Sequence, residues 1–113
     1  MPKAHLLEAH PLVHRWDNAR PPRLTINPGD TVVLEMADSS GFQVQPDWTT
    51  ADFRTRFDPL KVHALTGPVA IAGAEPGDRL EIRIGAYEHK GWAWTSLIPG
   101  LGLLPEDFPE HHL

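Results

Sequence analysis

The chain is 113 residues long, which suits one domain of the usual ~100–150 residues and falls well short of the about 250 that a TIM barrel needs. It contains no cysteine, which removes thiol nucleophiles, disulfides and thiolate metal sites, a cupredoxin-like copper centre among them. Ten basic against fifteen acidic residues leave a formal charge of −5, so nucleic-acid binding has no electrostatic basis here.

Taken in order, the N-terminus Met1-Pro2-Lys3-Ala4-His5-Leu6-Leu7-Glu8 lacks the apolar stretch of a secretory signal. The longest apolar run, Val69 to Ala74, is far below the roughly 20 residues that span a bilayer. The expectation is a cytoplasmic protein with no membrane partner. Twelve prolines argue against long helices, because an interior proline removes a backbone bond and clashes with the preceding turn. His10 and His14 have i, i+4 spacing, but Pro11 lies between them, and two surface histidines is the plainer reading.

Leu24-Thr25-Ile26 reads as a short strand. Asn27-Pro28-Gly29-Asp30 follows with the chemistry of a type II turn, proline at the second position and glycine at the third. It leads into Thr31 to Met36, where Val32, Leu34 and Met36 face one way and Val33 the other. That pattern predicts a strand covered on both faces. A short helix is predicted over about Pro46 to Phe57, with Trp48, Phe53 and Phe57 on one face. Val69 to Ala72 reads as a strand, and Glu75-Pro76-Gly77-Asp78 repeats the turn. After it, Leu80, Ile82 and Ile84 alternate with Arg79, Glu81 and Arg83, the pattern of a half-buried strand. Trp92 to Thr95 is a further strand candidate, and Asp107 to Leu113, with His111 and His112, reads as a disordered tail. The sum is a single all-β domain over 1–113, a β-sandwich or barrel of short strands with at most one short helix.

Chemistry is sparse by motif. Ser39, Ser40 and Ser96 sit in neither Gly-x-Ser-x-Gly nor Ser-x-x-Lys, and Gly100-x-Gly102 does not extend to a phosphate-cradling loop. Histidine with carboxylates is what remains. His63 stands ahead of Thr66-Gly67-Pro68 at the start of an apolar strand. There it can serve as a zinc ligand or a general base, or simply pack and hydrogen-bond. Trp92 and Trp94, two apart, share one face of a strand, for which core packing is the default and a pocket wall the alternative.

Several segments together resemble the acetamidase/formamidase family of amide hydrolases. They are His14-Arg15-Trp16-Asp17-Asn18, Pro21 to Val32, Ala37-Asp38, His63-Ala64-Leu65-Thr66-Gly67-Pro68-Val69, Gly73 to Glu81, Gly91-Trp92-Ala93-Trp94-Thr95 and Ile98 to Leu104. They fall in the family's order over nearly the whole chain. Ala64 stands where the family usually shows proline. The family's later Gly-Asp-x-His and Gly-Asp-Gly-Glu stretches have no counterpart here, so the resemblance is to its N-terminal portion.

The resemblance implies an all-β, commonly oligomeric hydrolase that converts short aliphatic amides such as formamide and acetamide to a carboxylate and ammonia. It implies His63 and Asp38 as catalytic residues, and Trp92 and Trp94 as substrate-binding walls. It further implies His14, Asp17 and His63 as ligands for a divalent metal ion, zinc or calcium. These form half a site, completed by a partner chain or a C-terminal part, and the two-sided strand Thr31 to Met36 is the expected contact of a homo-oligomer. The competing expectation is a non-catalytic β-sandwich binding or assembly module that keeps the family's fold.

Overall fold

Short apolar segments become strands in this chain only where a second segment lies beside them. A computed structural model describes residues 1–113 as two compact units. The first comprises Met1–Gly41 and Leu60–Gly85, the second Phe42–Pro59 and Ala86–Leu113.

In the first unit, β1 (Ala4–Leu7) runs parallel to β3 (Thr31–Leu34), with Ala4 opposite Thr31 and Leu7 opposite Leu34. The strand β2 (Leu24–Ile26) runs parallel to β4 (Val69–Ile71), with Leu24 opposite Val69. The turn between β2 and β3 closes as the sequence predicts: the Asp30 amide donates to the Asn27 carbonyl at 3.1 Å, and Gly29 has φ 90°. Its carboxylate ties the turn to β1. Asp30 accepts from the Lys3 amide at 2.8 Å, the Asn27 amide at 3.0 Å and His5 Nε2 at 2.9 Å. These donors, the two amides first, hold the Asp30 carboxyl down at about 2.

Arg23 joins the two strand pairs. Its amide donates to the Pro68 carbonyl at 2.9 Å, just ahead of β4. Its guanidinium donates to four successive carbonyls after β1: His10 at 2.6 Å, Glu8 at 2.9 Å, Ala9 at 3.3 Å and Pro11 at 3.4 Å. Beneath this clamp lie the buried Leu7, Ala9 and Val13. Val13 and Leu65 exchange two backbone hydrogen bonds, 3.2 and 2.8 Å, in an isolated antiparallel bridge.

Two strand expectations for this unit fail for the same reason. β3 ends at Leu34 and has only β1 beside it, so Val33, Leu34 and Met36 stay exposed and the strand is not covered on both faces. The second turn closes like the first: Asp78 N donates to Glu75 O at 3.1 Å, Asp78 Oδ2 accepts from Glu75 N at 2.9 Å, and Gly77 has φ 102°. Yet Arg79 to Ile84 forms no strand, because no other segment lies within backbone hydrogen-bonding reach.

In the second unit the helix α1 (Thr50–Arg56) is shorter than predicted. Thr49 sets its start through a capping box with Asp52, leaving residues 46–48 outside. Phe53 is the buried residue of α1 and stacks on Phe57 with ring centroids 4.5 Å apart. Trp48 leaves that face and lies under the Arg56 guanidinium, 4.7 Å from it. Gln43 clamps the chain after α1, donating to the Asp58 carbonyl at 3.1 Å and accepting from its amide at 2.7 Å.

The segment expected to be a disordered tail is held in place. Leu97 and His112 exchange two backbone hydrogen bonds, and the Leu113 amide donates to Thr50 Oγ1 at 3.2 Å. The predicted strand at Trp92 to Thr95 is absent, again for want of a pairing partner. The architecture is mostly non-helical, with short strands, one α-helix, a 3-10 turn at Pro59–Lys61 and no closed barrel. No helix is long and apolar enough to cross a membrane.

Candidate functional site

The Val13–Leu65 bridge organises the one place in the first unit where imidazoles gather. The bridge brings the His14 to Trp16 segment to the loop that carries His63. His63 is fixed by its amide, which donates to the Ser39 carbonyl at 2.8 Å, and it takes a left-handed backbone with φ 54°. That conformation is strained for a residue with a Cβ.

Ser39 lies in a tight turn made by Asp38. The Gly41 amide donates to the Asp38 carbonyl at 2.9 Å, and Asp38 Oδ2 accepts from both the amide and the hydroxyl of Ser40, which is fully buried. Gly41 is required here. It has φ 69°, and a Cβ would sit 2.8 Å from the Lys61 carbonyl and 3.5 Å from His14 Cε1. The turn at Asp38, the loop carrying His63 and the His14 ring are therefore packed together.

His14 Nδ1 lies 3.4 Å from the Val62 carbonyl. A proton on Nδ1 donated to that oxygen leaves Nε2 with its lone pair available. An open pocket of about 250 Å³ is lined by His14, Arg15, Trp16, His63 and Leu65. Two imidazoles can move a proton, the guanidinium can hold an anion or a polarised carbonyl oxygen, and the exposed indole can cover a small planar group.

Of the residues singled out by sequence, His14 and His63 line this pocket and Asp38 shapes the turn that holds His63. Asp17 is spent locally and exposed: its carboxylate accepts from the Ala19 amide at 3.0 Å and its carbonyl from the Arg20 amide at 3.2 Å. No three His, Asp or Glu side chains gather in a way that could hold a metal ion.

Trp92 and Trp94 belong to the second unit. Trp94 packs against Phe53, ring centroids 6.0 Å apart, and Trp92 is exposed. A larger apolar hollow of about 320 Å³ in that unit, between Leu97 and Phe108, offers no acid, base or nucleophile. Arg15 and Trp16 are the pocket residues that motif reasoning passed over. They stand beside His14 in sequence, but only the bridge across to Leu65 brings them to His63, and nothing local announces that bridge.

Residues 2–113 match the profile of the Acetamidase/Formamidase family. The chain is 33% identical over 103 residues to a formamidase of Methylophilus methylotrophus, covering 86% of this chain and 25% of that protein. It is 33% identical over 105 residues to a putative formamidase of Schizosaccharomyces pombe, covering 88% and 25%, and 28% identical over 116 residues to an acetamidase of Mycolicibacterium smegmatis, covering 91% and 28%. It thus spans about a quarter of the length of these relatives. No solved structure matches the chain. With its motifs in the family's order and the match running from residue 2 to residue 113, the chain belongs to the acetamidase/formamidase family.

Proposed function

We propose that this chain is the N-terminal part of an amidase that hydrolyses short aliphatic amides, formamide and acetamide among them, to a carboxylate and ammonia. The observation that carries the reading is the near-complete match to formamidase and acetamidase relatives over only a quarter of their length. The pocket at His14 and His63 is this chain's share of the site.

Amide hydrolysis needs an activated water, a stabiliser for the tetrahedral oxyanion and a proton for the departing amine. His63 takes the proton from water and returns it to the amine. Arg15 faces the carbonyl oxygen as negative charge develops on it, and Trp16 covers the small acyl group. Asp38 acts at one remove, through the turn whose Ser39 carbonyl holds the His63 backbone. The two histidines are short of the four ligands of a zinc site and unlike the all-oxygen set that calcium takes, so this chain does not fit a metal on its own. In the whole amidase the parallel strand pairs would be layers of a β-sandwich.

The test is ammonia release from formamide and acetamide by this chain alone, and by this chain mixed with a polypeptide carrying the remaining length of a family member. Release is expected from the mixture only, and His63→Ala should abolish it. Release by the chain alone would refute the shared site. A stable mixture with no release from either amide would count against the amidase reading.

A further inference from the structure

The segment after the second Pro-Gly turn has the residue alternation of a strand and no backbone partner. Leu80, Ile82 and Ile84 alternate with Arg79, Glu81 and Arg83, and the three apolar side chains are 58, 78 and 75% exposed. Backbone hydrogen bonding to the rest of the chain stops with the Asp78 amide and resumes only beyond this segment. On the polar face the exposed Arg83 and Glu81 form an ion pair. An extended, apolar-faced segment with free amides and carbonyls is a template for another strand.

The charges say which strand fits. Laid antiparallel against a copy of itself and centred on Ile82, the segment sets Leu80 opposite Ile84 and Ile82 opposite Ile82. Glu81 then faces Arg83 of the other copy, twice over, and every apolar side chain falls on one face. Parallel in-register pairing would instead set Glu81 on Glu81 and Arg83 on Arg83, which like-charge repulsion disfavours. Shifting the antiparallel register by two residues sets Glu81 on Glu81 and Arg79 on Arg83 in one direction, and Arg83 on Arg83 in the other. We propose that Arg79 to Ile84 pairs with the same segment of a second copy of this chain, antiparallel about Ile82, giving a two-fold symmetric strand-exchange-free dimer. The contact uses a different segment from the Thr31 to Met36 strand and does not depend on any amidase activity.

The experiment uses the full chain and reads its mass by light scattering and sedimentation over a concentration series. A concentration-dependent dimer is expected. Glu81→Arg or Arg83→Glu alone sets like charges across the two-fold and should weaken the dimer by about tenfold or more. The double change Glu81→Arg with Arg83→Glu restores opposite charges and should restore it. Amide hydrogen exchange at Val13 and Leu65 should be the same throughout, because Glu81 and Arg83 are exposed and pair with each other.

Since the chain has no cysteine, a second measurement is direct. Ile82→Cys should form an intermolecular disulfide readily, as facing residues have Cα atoms about 4.5–5.5 Å apart, within disulfide reach. Leu80→Cys should not, because its copy would lie four residues away along the strand, roughly 13 Å. A monomer at every concentration would overturn the proposal. So would a dimer that the double change fails to restore, or equal cross-linking at positions 80 and 82.

Discussion

Arg23 is the side chain on which the first unit most depends, and its removal has a magnitude that can be worked from its contacts. Arg23→Ala deletes four hydrogen bonds from a charged donor, two at good length, 2.6 and 2.9 Å, and two stretched to 3.3 and 3.4 Å. Hydrogen bonds to a charged group contribute about 1.5–3 kcal/mol each when well formed. The two short ones therefore dominate, and the freed carbonyls, largely at the surface, recover part of the loss by binding water. A net cost of about 2–4 kcal/mol follows. Arg23→Lys keeps the charge but not the fork, and a single ammonium cannot serve four carbonyls, so it should recover less than half. Amide hydrogen exchange at Val13 and Leu65, whose mutual bridge lies beside the clamp, gives the readout. At about 1.4 kcal/mol per factor of ten, their exchange should accelerate roughly 30- to 700-fold. Exchange within threefold of the wild-type chain would refute the idea that the guanidinium holds residues 8–11 in place.

Four further outcomes are expected. Asp30 has a carboxyl held below the ordinary value of 3.8, at about 2, so its contribution to stability is complete above pH 3.8 and vanishes as pH falls through about 2. In Asp30→Asn that part of the acid transition, followed by circular dichroism, should be missing. Phe53→Ala removes the ring on which Phe57 and Trp94 pack and should cost the second unit about 3 kcal/mol, with a red shift of tryptophan emission and no change in exchange at Val13. Gly41→Ala forces a Cβ to within 2.8 Å of the Lys61 carbonyl and should destabilise the His63 loop by more than 1 kcal/mol, whereas Gly29→Ala, with open space around it, should show only the roughly 1 kcal/mol strain of its positive φ. His63→Gly should raise thermal stability by about 0.5–1 kcal/mol, because glycine accepts the left-handed backbone that histidine resists.

The turns were the most legible part of the fold. Both Pro-Gly-Asp turns form with the backbone their residues dictate, since proline, glycine and the closing aspartate act within four residues of one another. Strand formation after each turn was not legible. Thr31 to Leu34 is a strand because β1 lies beside it and His5 and Lys3 reach its turn, while the cleaner alternation at Arg79 to Ile84 finds nothing to pair with. Periodicity reports which face a strand would bury, and says nothing about whether a second strand is within reach. The same holds at the site. His63 was visible ahead of its Thr-Gly-Pro turn and His14 only through the family resemblance, whereas Arg15 joins them through the distant pairing of Val13 with Leu65. Trp94 is half-buried and packs on the Phe53 ring, while Trp92, two residues away, is exposed.

The parallel pairing of the strands has a consequence for how the chain acquires its structure. No hairpin is present to nucleate the sheet: Ala4 meets Thr31, and Leu24 meets Val69. Each contact must close a long loop before any ladder bond rewards it, and such high contact order slows folding. During synthesis β2 must wait for Val69 to Ile71 to emerge before it can pair at all. The early nascent chain is therefore a string of locally formed turns joined by unpaired strand sequences, and the window in which it can associate wrongly is set by translation speed as much as by its final stability.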